Sequence, residues 1–416
     1  MTDATAMLTT NDGQPLKAAL ARSQRRARRN ALLLVAPLFL FVLITFVIPI
    51  GQMLSQSVYN NNFSVAAPNL GAWFDDHPQG SEIDETAFAA LVADLQYMKE
   101  EKLSGSAGTR INYDISGSRS LFTGSARKVD DLTPPYAISV PALDEKWTDP
   151  NLWRAMRSAS SPLTGDFYLA ALDLTRDEAG VIVQVEPRQR VYKMLFGRTL
   201  MLSALITGIC LVLAFPIAHL LATLPLAKSN LLMILVLLPF WTSLLVRTTS
   251  WIVLLQQQGV VNSLLVSLGI IGDDGRIQMI YNQMGTIIAM THILLPFMVL
   301  PLYSVMRPIP PSYVRAARSL GASSWTAFRR IYLPQTVPGM AAGALLVFIL
   351  SVGYYITPAL VGGADGQLIS NLIAFHMQKS LNWSLAAALA GLLLFGVLVL
   401  YWLYDKLVGI DNLKLG

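Results

Sequence analysis

The chain has a single cysteine, Cys210, among its 416 residues. A disulfide framework, a thiolate metal cluster and a CxxC redox pair are therefore excluded. Charge is scarce too: 14% of residues are Asp, Glu, Lys or Arg, against 53% hydrophobic, and a soluble surface needs more. The four histidines, His77, His219, His292 and His376, lie far apart with no HExxH-type spacing, which argues against a metal centre. No GxxxxGK[ST] loop occurs, and Gly362, Gly363 and Gly366 in VGGADGQ lack the strand-loop-helix setting of a dinucleotide fingerprint. Nucleotide binding in the P-loop manner is excluded. The formal net charge is +5, but the basic residues form no stripe on a soluble face, so nucleic acid is not a partner. Acidic pairs such as Asp75/Asp76, Glu100/Glu101 and Asp130/Asp131 read as solvated surface rather than general acids.

What the chain has instead is long uncharged runs. Residues 31–50 contain no charge and match the roughly 20 residues that cross a hydrocarbon core of about 30 Å. They follow a basic arm with Lys17, Arg22, Arg25, Arg26, Arg28 and Arg29 and precede no small-residue cleavage site, the pattern of an uncleaved signal-anchor. Five further blocks follow at about 199–223, 231–255, 285–306, 338–361 and 383–404, with Pro216, Pro239, Pro296, Pro301 and Pro358 in or near them. Kinks are expected there. With both termini placed in the cytoplasm, the short cytoplasmic segments hold 14 Lys and Arg and the short outer loops only Arg276 and Lys379. The positive-inside bias supports six crossings in that orientation.

Residues 52–193 separate the first two spans and carry 13 basic and 19 acidic side chains. They read as a water-soluble extracytoplasmic insertion of mixed structure over the outer mouth. Ser81 and Asp84 before ETAFAALVADLQYMKEEK predict a helix start, and Trp153 with Met156 and Arg157 a second short helix. Residues 180–186, GVIVQVE, are strand-like, and the Gly- and Ser-rich stretch Ser104–Ser125 reads as a loop or linker. The division of the chain is thus a basic arm over 1–30, a first span over 31–51, the insertion over 52–193, an all-α membrane core over 194–404 with a cytoplasmic loop at 307–337, and a tail over 405–416.

That loop is unusual. Pro310 and Pro311 stop the preceding helix, Ser312 can cap a helix to about Leu320, Gly321 supplies a left-handed turn, Ser323 or Ser324 caps a second helix and Pro334 ends it. Ala316, Ala317 and Ala322 permit close approach of another surface, while Val314, Leu320, Trp325 and Phe328 offer apolar anchors. The spacing resembles the EAA loop of permease subunits in type I ATP-binding cassette importers: Ala316, Ala317, Gly321, Ile331, Leu333 and Pro334 fall in register. Arg315 stands where that family usually has Glu, so any bridge made by the acid is missing or replaced. The segment LPFWTSLLVRTTSW, 238–251, and the run 260–306 are similar to the spermidine/putrescine-type permease subfamily, a likeness that extends from about Tyr192 to Tyr404 plus the first span.

The resemblance implies a type I permease fold of six transmembrane helices in a bacterial inner membrane. It also implies a second permease subunit, two ATPase subunits, a solute-binding protein outside, and ATP with Mg on the ATPase rather than on this chain. The loop would be the coupling helix, with Arg318, Arg329 and Arg330 facing acids on the ATPase or lipid phosphates. Arg247 is the one charge inside the third span and should face protein, water or headgroups. Trp241, Thr242 and Trp251 flank it and, with Tyr354 and Tyr355, are candidates for the path or gate. Asp and Glu are absent from the spans until Asp405, a poor lining for a polycation, although aromatic faces can pass one. An opine, another amino-acid derivative or a phosphonate would suit Arg247. Two alternatives are a secondary transporter, which would need an ion-coupling site, and a membrane-anchored sensor or enzyme working through the insertion.

Overall fold

The computed structural model describes residues 16–177 and 180–408. Part of the basic arm and most of the tail, including Lys414, lie outside them. The contacts divide the chain at Gln56 into two units. The first is one helical rod: α1 (Leu16–Val42), a π turn (Leu43–Val47) and α2 (Ile48–Ser55). Pro49 has no N–H to offer the Thr45 carbonyl, and the π turn sits at that point, where the helix must rearrange.

The second unit begins with the insertion, which is helical apart from one hairpin. Its elements are α3 (Pro68–Asp76), α4 (Glu85–Glu100), α5 (Ser104–Asn112), α6 (Ser118–Arg127), α7 (Tyr136–Leu143), α8 (Pro150–Ser160) and α9 (Asp166–Ala171), then antiparallel β1 (Leu174–Arg176) and β2 (Ile182–Gln184), with Thr175 opposite Val183. Asp84 caps α4 by accepting from the Ala87 N–H at 3.1 Å. The Thr86 hydroxyl and that N–H hold its carboxyl below the usual carboxylate range. The expected linker at 104–125 is corrected to two packed helices. Its small residues are a contact surface: a Cβ on Gly108 would lie 2.9 Å from the Arg119 Cα, so glycine is what lets α5 and α6 touch. Leu70, Leu91, Leu95, Met98, Ile111, Phe122, Trp147 and Met156 are fully buried around this layer, an apolar core that a 14%-charged chain concentrates outside its spans. Asp94 is buried with them, and its carboxylate takes the Asn69 and Leu70 N–H groups at 3.0 and 2.7 Å, closing the N-terminus of α3.

The membrane part comprises α10 (Tyr192–Thr223), α11 (Leu226–Leu237), α12 (Leu244–Leu255), α13 (Val260–Ser267), α14 (Gln283–Met306), α15 (Pro311–Ser319), α16 (Ser324–Ala327), α17 (Leu333–Gly353), α18 (Ile356–Val361), α19 (Ile369–Gln378) and α20 (Trp383–Val408). Among the described residues, five unbroken helices are long and apolar enough to cross a bilayer. A sixth crossing is available if the pair Leu226–Trp241 and Leu244–Ser267, bent by 97°, counts as one span. The block expected at 231–255, with a kink near Pro239, is in fact interrupted there: the helix stops at Trp241 and a new one starts at Leu244, bent by 97°. The block at 338–361 belongs to a helix that starts at Ser324 and stops at Gly353.

Helices α10, α14 and α17 pack as a tight trio. Cys210, Ala214 and Ala218 make a small-residue stripe on α10 at four-residue spacing, all fully buried. On α17 the glycines are closer still: a Cβ on Gly339 would stand 3.0 Å from the Pro301 carbonyl oxygen and one on Gly343 2.7 Å from the Met298 sulfur. Lipid gives apolar residues no reason to leave it, so close backbone approach through small residues is what holds such helices together.

Candidate functional site

The 307–337 loop is a capped knob. Pro311 occupies the first turn of α15, where its missing N–H costs nothing and its fixed φ is already helical. The expected cap at Ser312 is corrected accordingly: the flanking residue is Pro310, with no side-chain cap. At the other end Gly321 has φ +89°. Its N–H donates to the Arg318 carbonyl and the Ala322 N–H to the Ala317 carbonyl, both at 3.0 Å, the pair of bonds that defines a Schellman cap. Ser323 then accepts from the Thr326 N–H at 3.2 Å and starts α16. Pro334 does not end this helix, as the sequence suggested. A π turn at Phe328–Tyr332 carries the chain straight into α17, so α16 and a membrane helix are one rod, to which the Gly321 turn joins α15.

The residues in register with the motif fall on distinct faces. Arg315 and Ala316 are exposed and Ala317 is half-buried. Leu320 is 90% and Trp325 67% exposed, and Ala322, Ile331 and Leu333 are half-buried. Val314 and Phe328 turn inward onto the α10–α14–α17 core. Trp325 stacks on Phe328, and Phe328 on Tyr332, with ring centroids 5.7 and 5.9 Å apart. Phe328 also meets Phe215 edge-on, and the Tyr332 hydroxyl bonds His219 Nδ1 at 2.9 Å. Arg307 donates to the Ala222 and Leu224 carbonyls at 2.7 and 2.9 Å, capping the end of α10. The loop is therefore wired to α10 as well as to α17. Sequence reasoning had no signal for the His219–Tyr332 pair, which joins residues 113 positions apart.

The second cluster lies where two helices break. Ser243 caps α12 by accepting from the Val246 N–H at 3.2 Å. One turn on, Arg247 Nη2 donates to the Thr242 carbonyl at 3.1 Å, while its Nε is buried without a partner. Trp251 Nε1 donates to His292 Nδ1 at 3.2 Å. The chain breaks again at Tyr354 and Tyr355, whose carbonyls accept from Ser370 Oγ at 2.5 Å and Asn371 Nδ2 at 2.7 Å. Helix α18 then returns against α12 through Thr248 and Thr357, 3.4 Å apart. Arg247 lies within electrostatic reach of His292 and Tyr354. The structure thus gathers Arg247, Trp251 and Tyr354 and adds His292 to them. Trp241 is 72% exposed at the bend, Thr242 contributes a carbonyl, and Tyr355 is on the exposed side. The VGGADGQ turn is a packing device here: a Cβ on Gly363 would lie 2.2 Å from the Tyr281 carbonyl oxygen.

The two ends of α10 differ sharply. At Tyr192 it receives the insertion; at Thr223 it receives the 307–337 loop. Its 32 residues span ~48 Å, more than the hydrocarbon core.

A bundle of apolar helices, two of them interrupted near a half-buried arginine, with a capped knob at one end, is the architecture of a membrane transport subunit. Residues 179–408 match the family described as "Binding-protein-dependent transport system inner membrane component", and the chain belongs to it. It is the permease subunit of an ATP-binding cassette importer, placed in the inner membrane, and ATP hydrolysis belongs to a partner ATPase rather than to this chain. Among curated relatives, the "Spermidine/putrescine transport system permease protein PotB" of Escherichia coli K12 is 36% identical over 245 residues, covering 56% of this chain and 88% of that protein. The protein of that name from Haemophilus influenzae is 33% identical over 244 residues, covering 57% and 85%. The Escherichia coli "Inner membrane ABC transporter permease protein YdcU" is 33% identical over 201 residues, 46% of this chain and 64% of that one. A solved bacterial importer of the acidic polysaccharide alginate aligns with a TM-score of 0.45 and 20% identity over 71% of this chain and 99% of that one. Neither the secondary-transporter nor the sensor alternative is favoured by this assignment.

Proposed function

We propose that the 307–337 loop is the coupling element through which the partner ATPase moves this permease, that it lies in the cytoplasm with both termini, and that residues 52–193 lie outside. The observation that carries this reading is the Schellman-capped α15, exposed along one face and seated by Val314 on the core, joined by the Gly321 turn to α16, which runs through the π turn into α17. A rigid short helix on a rigid rod transmits rigid-body motion. Placement of the insertion and the loop at opposite ends of α10 supports opposite membrane faces. A second permease, two ATPase subunits and an outer solute-binding protein would complete the complex. Cross-linking tests the assignment, since the only native thiol, Cys210, is buried. With Leu320→Cys, a short thiol-reactive cross-linker is expected to capture the ATPase in inverted vesicles. Capture of the solute-binding protein, or labelling from the outer face only, would reverse the topology.

The path we assign to Arg247, Trp251, His292 and Tyr354, at the two helix breaks. Names of the relatives support a polyamine or a related small organic solute. Arg247 supports one that also carries a carboxylate or phosphonate, as an opine or other amino-acid derivative does, since an intramembrane guanidinium with an unengaged N–H is a costly group to keep without a use. Arg247→Ala should lower uptake at least about tenfold, equivalent to ~1.4 kcal/mol, with assembly and basal ATPase activity intact. Arg247→Lys should recover part of it, because the charge returns without the fork. Unchanged flux in the alanine variant would remove Arg247 from the path.

A further inference from the structure

The insertion holds a cavity of about 720 Å³ walled by the turn after α5, by α8, α9, the hairpin and the start of α10, within the range typical of small-molecule sites. Most charged groups on its wall are already engaged. Arg157 donates to the Phe74 and His77 carbonyls at 2.9 and 2.7 Å and lies 4.7 Å over the Phe74 ring. Asp166 accepts from the Ser158 hydroxyl and from Arg176 Nε at 3.2 Å. Asp173 is taken up by the N-terminus of α10.

Two groups remain. Arg154 lines the cavity and, among the described residues, has neither a hydrogen bond nor an ion pair. Asp114, within electrostatic reach of it, gives only Oδ2 to Arg110 at 2.7 Å and leaves Oδ1 open. Arg110 itself is 1% exposed and lies 4.9 Å over the Phe167 ring, so it fixes Asp114 from behind and cannot reach a ligand. A planar fork and a carboxylate oxygen on the wall of one cavity, which Ala155, Leu169 and Tyr113 also line, match a molecule with a carboxylate at one end and an ammonium at the other. A dication would meet Arg154, and a dianion would meet Asp114.

We propose that this cavity binds a small zwitterion of amino-acid type, its carboxylate on Arg154 and its ammonium on Asp114. Tyr192, in the first turn of α10, is part of the wall, so an occupied cavity touches a membrane helix. The site stands apart from the coupling and path assignments, because binding is read without transport. Calorimetric titration of the purified full chain in nanodiscs with 5-aminopentanoate, pentanoate, putrescine and glutarate tests it. The zwitterion is expected to bind at least about tenfold tighter than the other three, and Arg154→Gln and Asp114→Asn each to lose that advantage, with Arg154→Lys keeping part of it. Helical content and hydrogen-exchange protection of α5 and α8 confirm that the variants are folded. The proposal is overturned if pentanoate binds as well as 5-aminopentanoate, if putrescine is preferred and survives Arg154→Gln, or if no zwitterion in a series of chain lengths binds below about 1 mM.

Discussion

Gly321→Val is expected to uncouple the permease: uptake in the assembled transporter falls at least about tenfold and solute no longer stimulates the ATPase, while the spans stay folded. The cause is backbone conformation rather than crowding. A Cβ at Gly321 meets nothing within 4 Å, but φ is +89°, where a β-branched residue carries strain of roughly 1–3 kcal/mol. Relief of that strain breaks the bonds to the Arg318 and Ala317 carbonyls, frees the end of α15 and turns a rigid knob into a flexible loop. Asparagine tolerates the left-handed region, so Gly321→Asn should retain most of the transport. Measured uptake and ATPase stimulation in proteoliposomes distinguish the cases. Equal loss in both variants would mean that the glycine matters for a contact, and no loss in either would remove the loop from coupling.

How much of this was legible in the sequence depends on the range of the interaction. The spans were legible because lipid demands uncharged runs of a set length, and the knob because proline, glycine and serine act on their own neighbours. The same locality explains the misreadings. Pro334 looks like a terminator, but three residues earlier the helix has widened into a π turn and no longer needs the proline's N–H in the ordinary register. Ser104–Ser125 looks like a linker because glycine and serine are common in loops; Gly108 is there so that two helices can touch. Pro239 announces a kink, but its size, a 97° bend that ends one helix and starts another, is not legible, since both arms are equally apolar. His292 and His219 find their partners, Trp251 and Tyr332, 41 and 113 positions away. That Arg247 comes within electrostatic reach of Tyr354 likewise follows from α12 and α18 folding back together, which no local pattern encodes.

Asp173 makes another contact that no local pattern encodes, and its removal should give the largest loss of stability. Only 2% exposed, it accepts from the Val191 and Tyr192 N–H groups at 3.0 Å through Oδ1 and from the Lys193 N–H at 2.8 Å through Oδ2. No side chain at the flanking residue caps α10; the carboxylate comes from the insertion, 18 residues before Val191. It satisfies orphan donors and sets a negative charge at the positive end of the helix dipole. Asp173→Ala strands three part-buried N–H groups and should destabilise the junction by roughly 2–3 kcal/mol. Asp173→Asn keeps one acceptor oxygen and tolerates the residue's φ of +53°, so its loss should be nearer ~1 kcal/mol. Hydrogen exchange on the full chain reads the difference, with amides of Val191–Lys193 and of the hairpin exchanging faster in the order wild type, Asn, Ala. The middle of α10 should be unaffected, because its bonds are internal to the helix. If all three proteins protect the junction equally, the insertion is tied to α10 by its apolar contacts alone, and the carboxylate is not what joins the two.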